Sequence, residues 1–348
     1  MHDLAIIGGG PAAIAAGVYA ARKHLKTIFI AEAIGGQSID SQDIQNWIGT
    51  PHIAGMAFQK TLESHLREYA GDIVDIKLGE RVQKVEKTPD GFSITTPTAS
   101  FEVRAVLIAT GGSRKKLEAT GALEFENKGV TYCASCDGPL FSGMDVAVVG
   151  GGNAGFETAA QLLAYSKSVT LVHRSPEFEK ADKATVEAVL AHPNMKVLKN
   201  TEPTEVKGDG FVNALVVKNK QTGEETTLPV SGVFVEIGMI AATDLVKGLV
   251  ELDEWGRVKV DGKSQRAYLL QTPTTVSGAR RGENDEGGVP LGTMTESQGP
   301  RNKADEAGGG VWAAGDCSDG LYHQNNIAAG DAVKALEDIY FWLRASKK

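Results

Sequence analysis

One local pattern occurs twice in this chain and restricts its fold more than any single residue does. A short apolar run, Leu4-Ala5-Ile6-Ile7, leads into Gly8-Gly9-Gly10 and then an alanine-rich stretch from Pro11 to Lys23. The order returns as Val146-Ala147-Val148-Val149, then Gly150-Gly151-Gly152, then a helical stretch from about Ala154 to Ala164. Apolar runs of this length suit strands buried on both faces of a parallel sheet. Consecutive glycines let the chain turn sharply and let a phosphate approach the backbone, while the helix behind them turns its amide end toward that anion. A chain of 348 residues is also too long for one core of ordinary size. The expectation is α/β, with two doubly wound Rossmann-like nucleotide-binding domains.

The two copies differ where the nucleotide would be distinguished. After the first, a strand from Thr27 to Ala31 ends at Glu32, an acid about 20 residues past the loop and suited to ribose hydroxyls. After the second, a strand from Val169 to Val172 runs into His173 and Arg174, and with Gly8 laid on Gly150, Glu32 falls on Arg174. Arginine pairs with a 2′-phosphate. The first copy, with Gly8, Gly10, Pro11, Ala12, Ala13 and Glu32, thus reads as an FAD site. The second, with Gly150, Gly152, Asn153, Ala154, Glu157, His173 and Arg174, reads as a site for NADPH, with NADH the second choice. The alternative for the second loop is a purely structural packing of helix on strand.

Two further strand-to-turn segments are Ala105 to Gly112, which carries Thr110 and Gly111, and Val311 to Asp316, which carries Gly315 and Asp316. The latter is followed by His323 to Gly330 and an apolar-striped helix through Leu343, a helix start suited to the negative edge of a flavin or its pyrophosphate. The FAD domain is therefore expected to be discontinuous, 1–114 and 245–348, around a nicotinamide domain at 117–242.

A net charge of -8 gives no broad attraction to nucleic acid or to anionic membrane, which leaves small molecules and proteins as partners. No uninterrupted apolar run of about 18 residues stands in the chain, so no transmembrane helix is expected. The stretch Leu4 to Ala21 imitates a signal peptide but lacks a basic start and is broken by glycines and Pro11, so a cytoplasmic protein is expected. Three cysteines make no disulfide framework. Two of them form Cys133-Ala134-Ser135-Cys136, a pair able to cycle between dithiol and disulfide. Half of a zinc site is the other reading, for which the sequence offers no second Cys-x-x-Cys or His-x-His pair.

Taken together, several blocks resemble the low-molecular-weight thioredoxin reductases and the C-terminal part of the flavoprotein subunit of alkyl hydroperoxide reductase. They are Gly35-Gly36-Gln37, Thr131 through Phe141, Val146 through Glu157, Thr204 through Gly210, Val233 through Gly238, and Ala313 through Cys317. The resemblance implies electrons taken from a nicotinamide, passed through FAD to Cys133 and Cys136, and exported by thiol exchange. It implies that Cys136 faces the flavin, that Cys133 attacks the partner's disulfide, and that Asp137 handles the proton. Asp137 also suits a turn before Gly138-Pro139. Glu32 and Asp316 would contact FAD, with Gly35, Gly36, Gln37 and Gln324 near the ring, Asn325 and Ile327 at the adjoining helix start, and Asn46 on the flavin side or capping a turn. Cys317 reads as a small packed residue. Because the first strand begins at Leu4, the electron acceptor is expected to be a separate thioredoxin-like or glutaredoxin-like protein. A flavin-dependent disulfide reductase with another donor, or one serving a peroxidase system, is the alternative. The C-terminal helix, through Ile327, Val333, Leu336, Ile339 and Leu343, is available for a homodimer or for the core.

The chain departs from that pattern in two places. Thioredoxin reductases commonly show His-Arg-Arg, three residues and Arg for the NADPH phosphate, whereas here His173-Arg174-Ser175-Pro176-Glu177-Phe178-Glu179 keeps one arginine and offers Glu179 where a cation belongs. A carboxylate there opposes a bound phosphate unless Lys180 or Lys183 folds over to neutralise it. Around 265–310 a polar, glycine-rich insertion separates Thr275-Val276-Ser277-Gly278 from Val311-Trp312-Ala313, and its composition suits a solvated surface loop.

Overall fold

A computed structural model describes residues 1–41, 43–179, 181–270 and 310–345. The chain opens with β1 (His2–Ile7), α1 (Pro11–Arg22), β2 (Thr27–Ala31), α2 (Gly55–Ala70), β3 (Val74–Leu78), the hairpin of β4 (Lys84–Thr88) and β5 (Gly91–Thr95), and β6 (Ser100–Ile108). These strands join in the order β3-β2-β1-β6-β5-β4. β1, β2, β3 and β6 run parallel, with Ile7 level with Ile30 on one side and Ile108 on the other. Alternate residues feed two cores. Leu4, Ile6, Phe29 and Leu107 pack under α1 and α2, while Ala5, Ile7, Ile28, Ile30 and Ile108 face the β4–β5 side. Gly17 lets α1 lie close to α2, because a Cβ there would come within 2.6 Å of Leu66 Cδ1.

Next come β7 (Gly112–Arg114), β8 (Val130–Thr131), the single turn α3 (Ala134–Asp137), β9 (Asp145–Val149), α4 (Asn153–Leu163), β10 (Ser168–Val172), α5 (Lys183–Leu190) and β11 (Met195–Leu198). An antiparallel sheet of β12 (Thr201–Asp209), β13 (Phe211–Asn219) and β14 (Glu225–Leu228) follows, then β15 (Gly232–Val235) and β16 (Met239–Ala241). β11-β10-β9-β15-β8 form the second parallel sheet. The link between the two sheets was not foreseen: β7 and β16 pair antiparallel, Arg114 against Met239 and Gly112 against Ala241. The chain thus leaves the first sheet and returns to it through one two-stranded ribbon.

The chain closes with β17 (Gly310–Ala313) and α6 (Asn325–Ala345). β6 is long enough to serve two partners along one edge, β5 through Ser100 to Val103 and β17 through Ala105 to Ile108. The C-terminal strand therefore completes the first sheet, as a discontinuous domain requires. Trp312 is fully buried, and its indole N–H donates to Asp338 Oδ2 at 2.8 Å, an oxygen that also receives Arg266 Nε at 2.8 Å.

The expected insertion is narrower than 265–310. Gln265 and Ala267 are buried, Ala267 N donates to the Val311 carbonyl at 2.9 Å, and Ala313 N donates to that of Gln265 at 3.1 Å. The alternation Ala267, Leu269 places this segment against the sheet. Residues 271–309, including Thr275 to Gly278, lie outside the described residues, as does Lys180. On α6, Leu336, Ile339 and Leu343 belong to the core shared with α1, so that stripe is not open to a second subunit. Among the described residues no helix is long and apolar enough to cross a membrane.

Candidate functional site

Three segments remote in sequence converge on the first glycine loop. Gly8 has φ 129°, and a Cβ there would overlap the Ala109 carbonyl, so its lack of a side chain is what brings β1 and β6 into register at this end. Gly10 caps α1 with open space around it and no side-chain hydrogen bond to the first turn. Pro11 opens the helix, and Ala12 and Ala13 are buried beneath it. Gly35 N donates to the Gly9 carbonyl at 2.8 Å, and a Cβ on Gly36 would stand 3.3 Å from Gly10 Cα. Gln37 Nε2 donates to Asp316 Oδ2 at 3.3 Å, Ser38 Oγ donates to Asn325 Oδ1 at 2.9 Å, and Gly315 nests against Ala12 and Ala328. Glu32 stands exposed at the end of β2, 3.4 Å from Arg81 Nε, a partner no local motif announced. Uncapped helix amides, a glycine loop with open space at the Gly10 cap, and a carboxylate at the next strand end are the donor and acceptor set an adenine dinucleotide needs. These residues fit FAD.

Two expected cofactor residues follow β6 beside the first glycine loop, where a Cβ on Gly8 would stand 3.0 Å from Thr110 N, and they also bond toward the ribbon. The Thr110 hydroxyl donates to the Ala242 carbonyl at 2.6 Å and the Gly111 carbonyl accepts from Ala242 N at 3.0 Å, so both stitch the ribbon between the sheets. Ile327 is half-exposed on the first turn of α6.

The second loop repeats the design. Gly150 has φ 126°, and a Cβ on it would overlap the Glu236 carbonyl. Gly152 caps α4 with open space and no side-chain bond. Asn153 Oδ1 accepts from Asp182 N at 2.7 Å, which ties the start of α5 to the start of α4, and Ala154 and Glu157 are exposed on α4. At the end of β10, His173 Nε2 donates to the Glu177 carbonyl at 3.0 Å and its ring lies 5.0 Å from that of Phe178. Arg174 is exposed, and among the described residues neither it nor Glu179 makes an ion pair, so Lys183 does not neutralise Glu179 here. These residues fit a nicotinamide dinucleotide.

Between the two loops in the sequence lies the cysteine pair. Cys133 and Cys136 form a disulfide around α3, their Cα atoms 5.3 Å apart, and both are half-buried. Asn46 reaches Cys136 from the first domain: its Nδ2 lies 3.9 Å from Sγ and 2.9 Å from Gln324 Oε1, while Asn326 Nδ2 donates to the Asn46 carbonyl at 2.6 Å. Asp137 accepts from the Thr131 hydroxyl. Burial pushes the Asp137 carboxyl above the usual carboxylate range, and the Thr131 bond pulls it partway back. Cys317 is buried, its Sγ within 3.3 and 3.4 Å of the Ile108 and Ala314 carbonyls, either of which can accept its one S–H, and burial pushes its thiol up. A neutral buried thiol is unreactive.

One charged residue lies inside the Val233 through Gly238 block but has no role assigned to it from sequence. The Glu236 side chain, just past β15, is only 6% exposed; it accepts from Thr158 Oγ1 at 2.9 Å and lies 3.7 Å from Arg114 Nη1 on β7. Burial pushes its carboxyl up, with Arg114 and Thr158 opposing. A lone carboxylate after an apolar strand carries no local signal; only the fold brings it to the ribbon.

Comparison with known proteins agrees with this geometry. The family profile described as pyridine nucleotide-disulphide oxidoreductase matches residues 2–268. An NADH dehydrogenase of Bacillus subtilis (strain 168) is 34% identical over 342 residues, 98% of this chain and 58% of that protein. A subunit of alkyl hydroperoxide reductase of Escherichia coli (strain K12) is 32% identical over 350 residues, 99% of this chain and 59% of that one. The chain thus spans under two thirds of the length of these curated relatives. Among solved structures, thioredoxin reductase from Giardia duodenalis superposes with a TM-score of 0.81 at 29% identity, and that from Streptococcus pyogenes MGAS5005 with 0.80 at 29%, each covering 99% of both chains.

Proposed function

Because the chain belongs to the pyridine nucleotide-disulphide oxidoreductase family and is an FAD-dependent oxidoreductase using NAD(P)H, we propose that it reduces the disulfide of a separate thioredoxin-like protein. The observation that carries this reading is the contact between Asn46 and Cys136, which brings the disulfide of one domain against the flavin-side loop of the other. FAD, when bound, supplies the two-electron carrier between nicotinamide and disulfide.

Every other part is supplied by the chain. The first glycine loop, Glu32 and the Gln37–Asp316 contact hold the dinucleotide. Asn46 and Gln324 orient Cys136, and an amide hydrogen on Sγ stabilises the thiolate that forms when the disulfide opens. Cys133, on the other side of the α3 turn, is the nucleophile toward the partner. Asp137, whose carboxyl burial raises above the usual carboxylate range, gives a proton to the leaving thiolate and recovers it. The boundary between the domains lies at the β7–β16 ribbon, a narrow connection suited to rotating one domain against the other. Exposed Ile48, Leu321 and Tyr322 flank the residues that contact Asn46 and Gln324, an apolar rim suited to a protein acceptor.

The test is anaerobic mixing of the flavin-loaded protein with NADPH and with NADH, followed by addition of oxidised thioredoxin. The reading expects bleaching by one nucleotide and recovery of flavin absorbance on addition of the protein disulfide. Bleaching without recovery would reject a thioredoxin-like acceptor, and bleaching only by dithionite would point to a different donor.

A further inference from the structure

The strand end that should read the 2′ position of the nicotinamide nucleotide holds a cation from outside the loop. β10 and β11 are in register with Val172 opposite Leu198, and beyond them the backbones stay zipped: His173 N donates to the Leu198 carbonyl and Thr201 N to that of His173, both at 2.9 Å. Lys199 therefore emerges beside His173, the residue that precedes Arg174 in the chain. Its ammonium lies 4.9 Å from the Phe178 ring and 3.1 Å from Glu177 Oε2. Phe178 in turn packs on His173 and, edge to face at 4.8 Å, on Phe156 of α4. The loop 174–179 is thus folded around one apolar side chain, with the Lys199 ammonium held at its rim.

We infer that Lys199 supplies the second cation for a nucleotide 2′-phosphate, alongside Arg174, and that Glu177 holds that cation until the phosphate displaces it. Glu177 is 70% exposed and Lys199 38%, so their pair is worth little in water. A phosphate dianion is a stronger acceptor for an ammonium than an exposed carboxylate, so exchange of partners favours the phosphate. Arg174, which has no competing ion pair among the described residues, completes a two-cation grip. Glu177 then acts as a selector. It costs a 2′-phosphate part of its binding and leaves a plain ribose nearly untouched, so the ratio of Lys199 to Glu177 attraction sets the preference between the two nicotinamide nucleotides.

The inference rests on the second glycine loop binding a nicotinamide nucleotide, and the experiment separates the two claims. Calorimetric titration of the flavin-loaded protein uses 2′,5′-ADP and 5′-AMP, which differ only in the 2′-phosphate. Lys199→Gln should weaken 2′,5′-ADP by about tenfold or more while 5′-AMP stays within about twofold. Glu177→Gln should tighten 2′,5′-ADP by roughly threefold, because the competing carboxylate is gone. An unchanged 2′,5′-ADP affinity in Lys199→Gln overturns the inference alone. Equal losses for both probes, or weaker 2′,5′-ADP binding in Glu177→Gln, overturn it too, since either result makes the pair a prop for the loop. Binding of neither probe to the parent protein overturns the nucleotide reading beneath it as well.

Discussion

Asn46 donates across the domain boundary to Cys136 Sγ at 3.9 Å while the same amide nitrogen is held at 2.9 Å by Gln324 Oε1. One side chain therefore couples the loop after β2, the start of α6 and the disulfide. Replacing it with alanine removes a single hydrogen bond to the sulfur, about 1 kcal/mol or roughly fivefold in rate. Asn46→Ala should bleach its flavin with NAD(P)H at the parent rate yet reduce a protein disulfide several times more slowly. Stopped-flow recovery of flavin absorbance reads this directly, and an unaltered recovery would remove Asn46 from the electron path.

The position of Asn46 also divides the labour between the cysteines. If Cys136 is the sulfur on the flavin side and Cys133 the one that attacks the acceptor, Cys136→Ser leaves an attacking thiol with nothing to resolve it. That variant should accumulate a mixed disulfide with oxidised thioredoxin, visible as one added partner mass on a non-reducing gel. Cys133→Ser should trap none. The opposite pattern would exchange the two roles.

Asp137 offers a stability signature as well as a kinetic one. Its folded carboxyl is raised by burial above the unfolded value. The stability it contributes is therefore full below the ordinary aspartate range and is lost as pH rises through the raised folded value, where a charge must be held in a buried site. Asp137→Asn, neutral at every pH, should match the parent's Tm in acid and exceed it increasingly as pH rises. The same variant should lose on the order of 10²-fold in disulfide exchange, the usual size of a general acid–base contribution. Parallel Tm curves for the two proteins would mean that the Asp137 carboxyl is not desolvated.

Much of this was legible in the chain because it is written in local backbone demands. Gly8 and Gly150 adopt left-handed φ with a carbonyl where a Cβ would stand, and such constraints leave glycines at fixed offsets from apolar strands. The return of the C-terminus to the first sheet was readable because Val311 to Ala313 is an apolar run too short for anything but a strand. What the sequence hid is tertiary. Glu236 and Arg114 meet only because β7 and β16 pair, and Lys199 reaches Glu177 only because β11 lies beside β10. The stripe on α6 was ambiguous for a related reason: an apolar helical face looks the same whether it covers α1 or a second subunit, and Leu336, Ile339 and Leu343 cover α1. The Thr110 hydroxyl and the Gly111 carbonyl also bond to Ala242, contacts that only the tertiary fold creates.

The glycines of the first loop separate a folding role from a binding role. Alanine at Gly8 meets two penalties at once, a left-handed φ and overlap with the Ala109 carbonyl, and the clash lies between two central strands that cannot part without opening both cores. Gly8→Ala should therefore lower the Tm of the flavin-free protein by several degrees, a cost of about 2 kcal/mol or more. Gly10 differs, for it is extended, caps α1, and has no atom within 4 Å of where an added methyl group would stand. Gly10→Ala should keep the parent's flavin-free Tm but bind FAD more weakly, because its methyl occupies the space through which a pyrophosphate approaches the helix amides. Thermal scans on protein stripped of flavin, paired with FAD titration followed by fluorescence quenching, distinguish the two. A Gly10→Ala protein that binds FAD like the parent would move the pyrophosphate away from this loop.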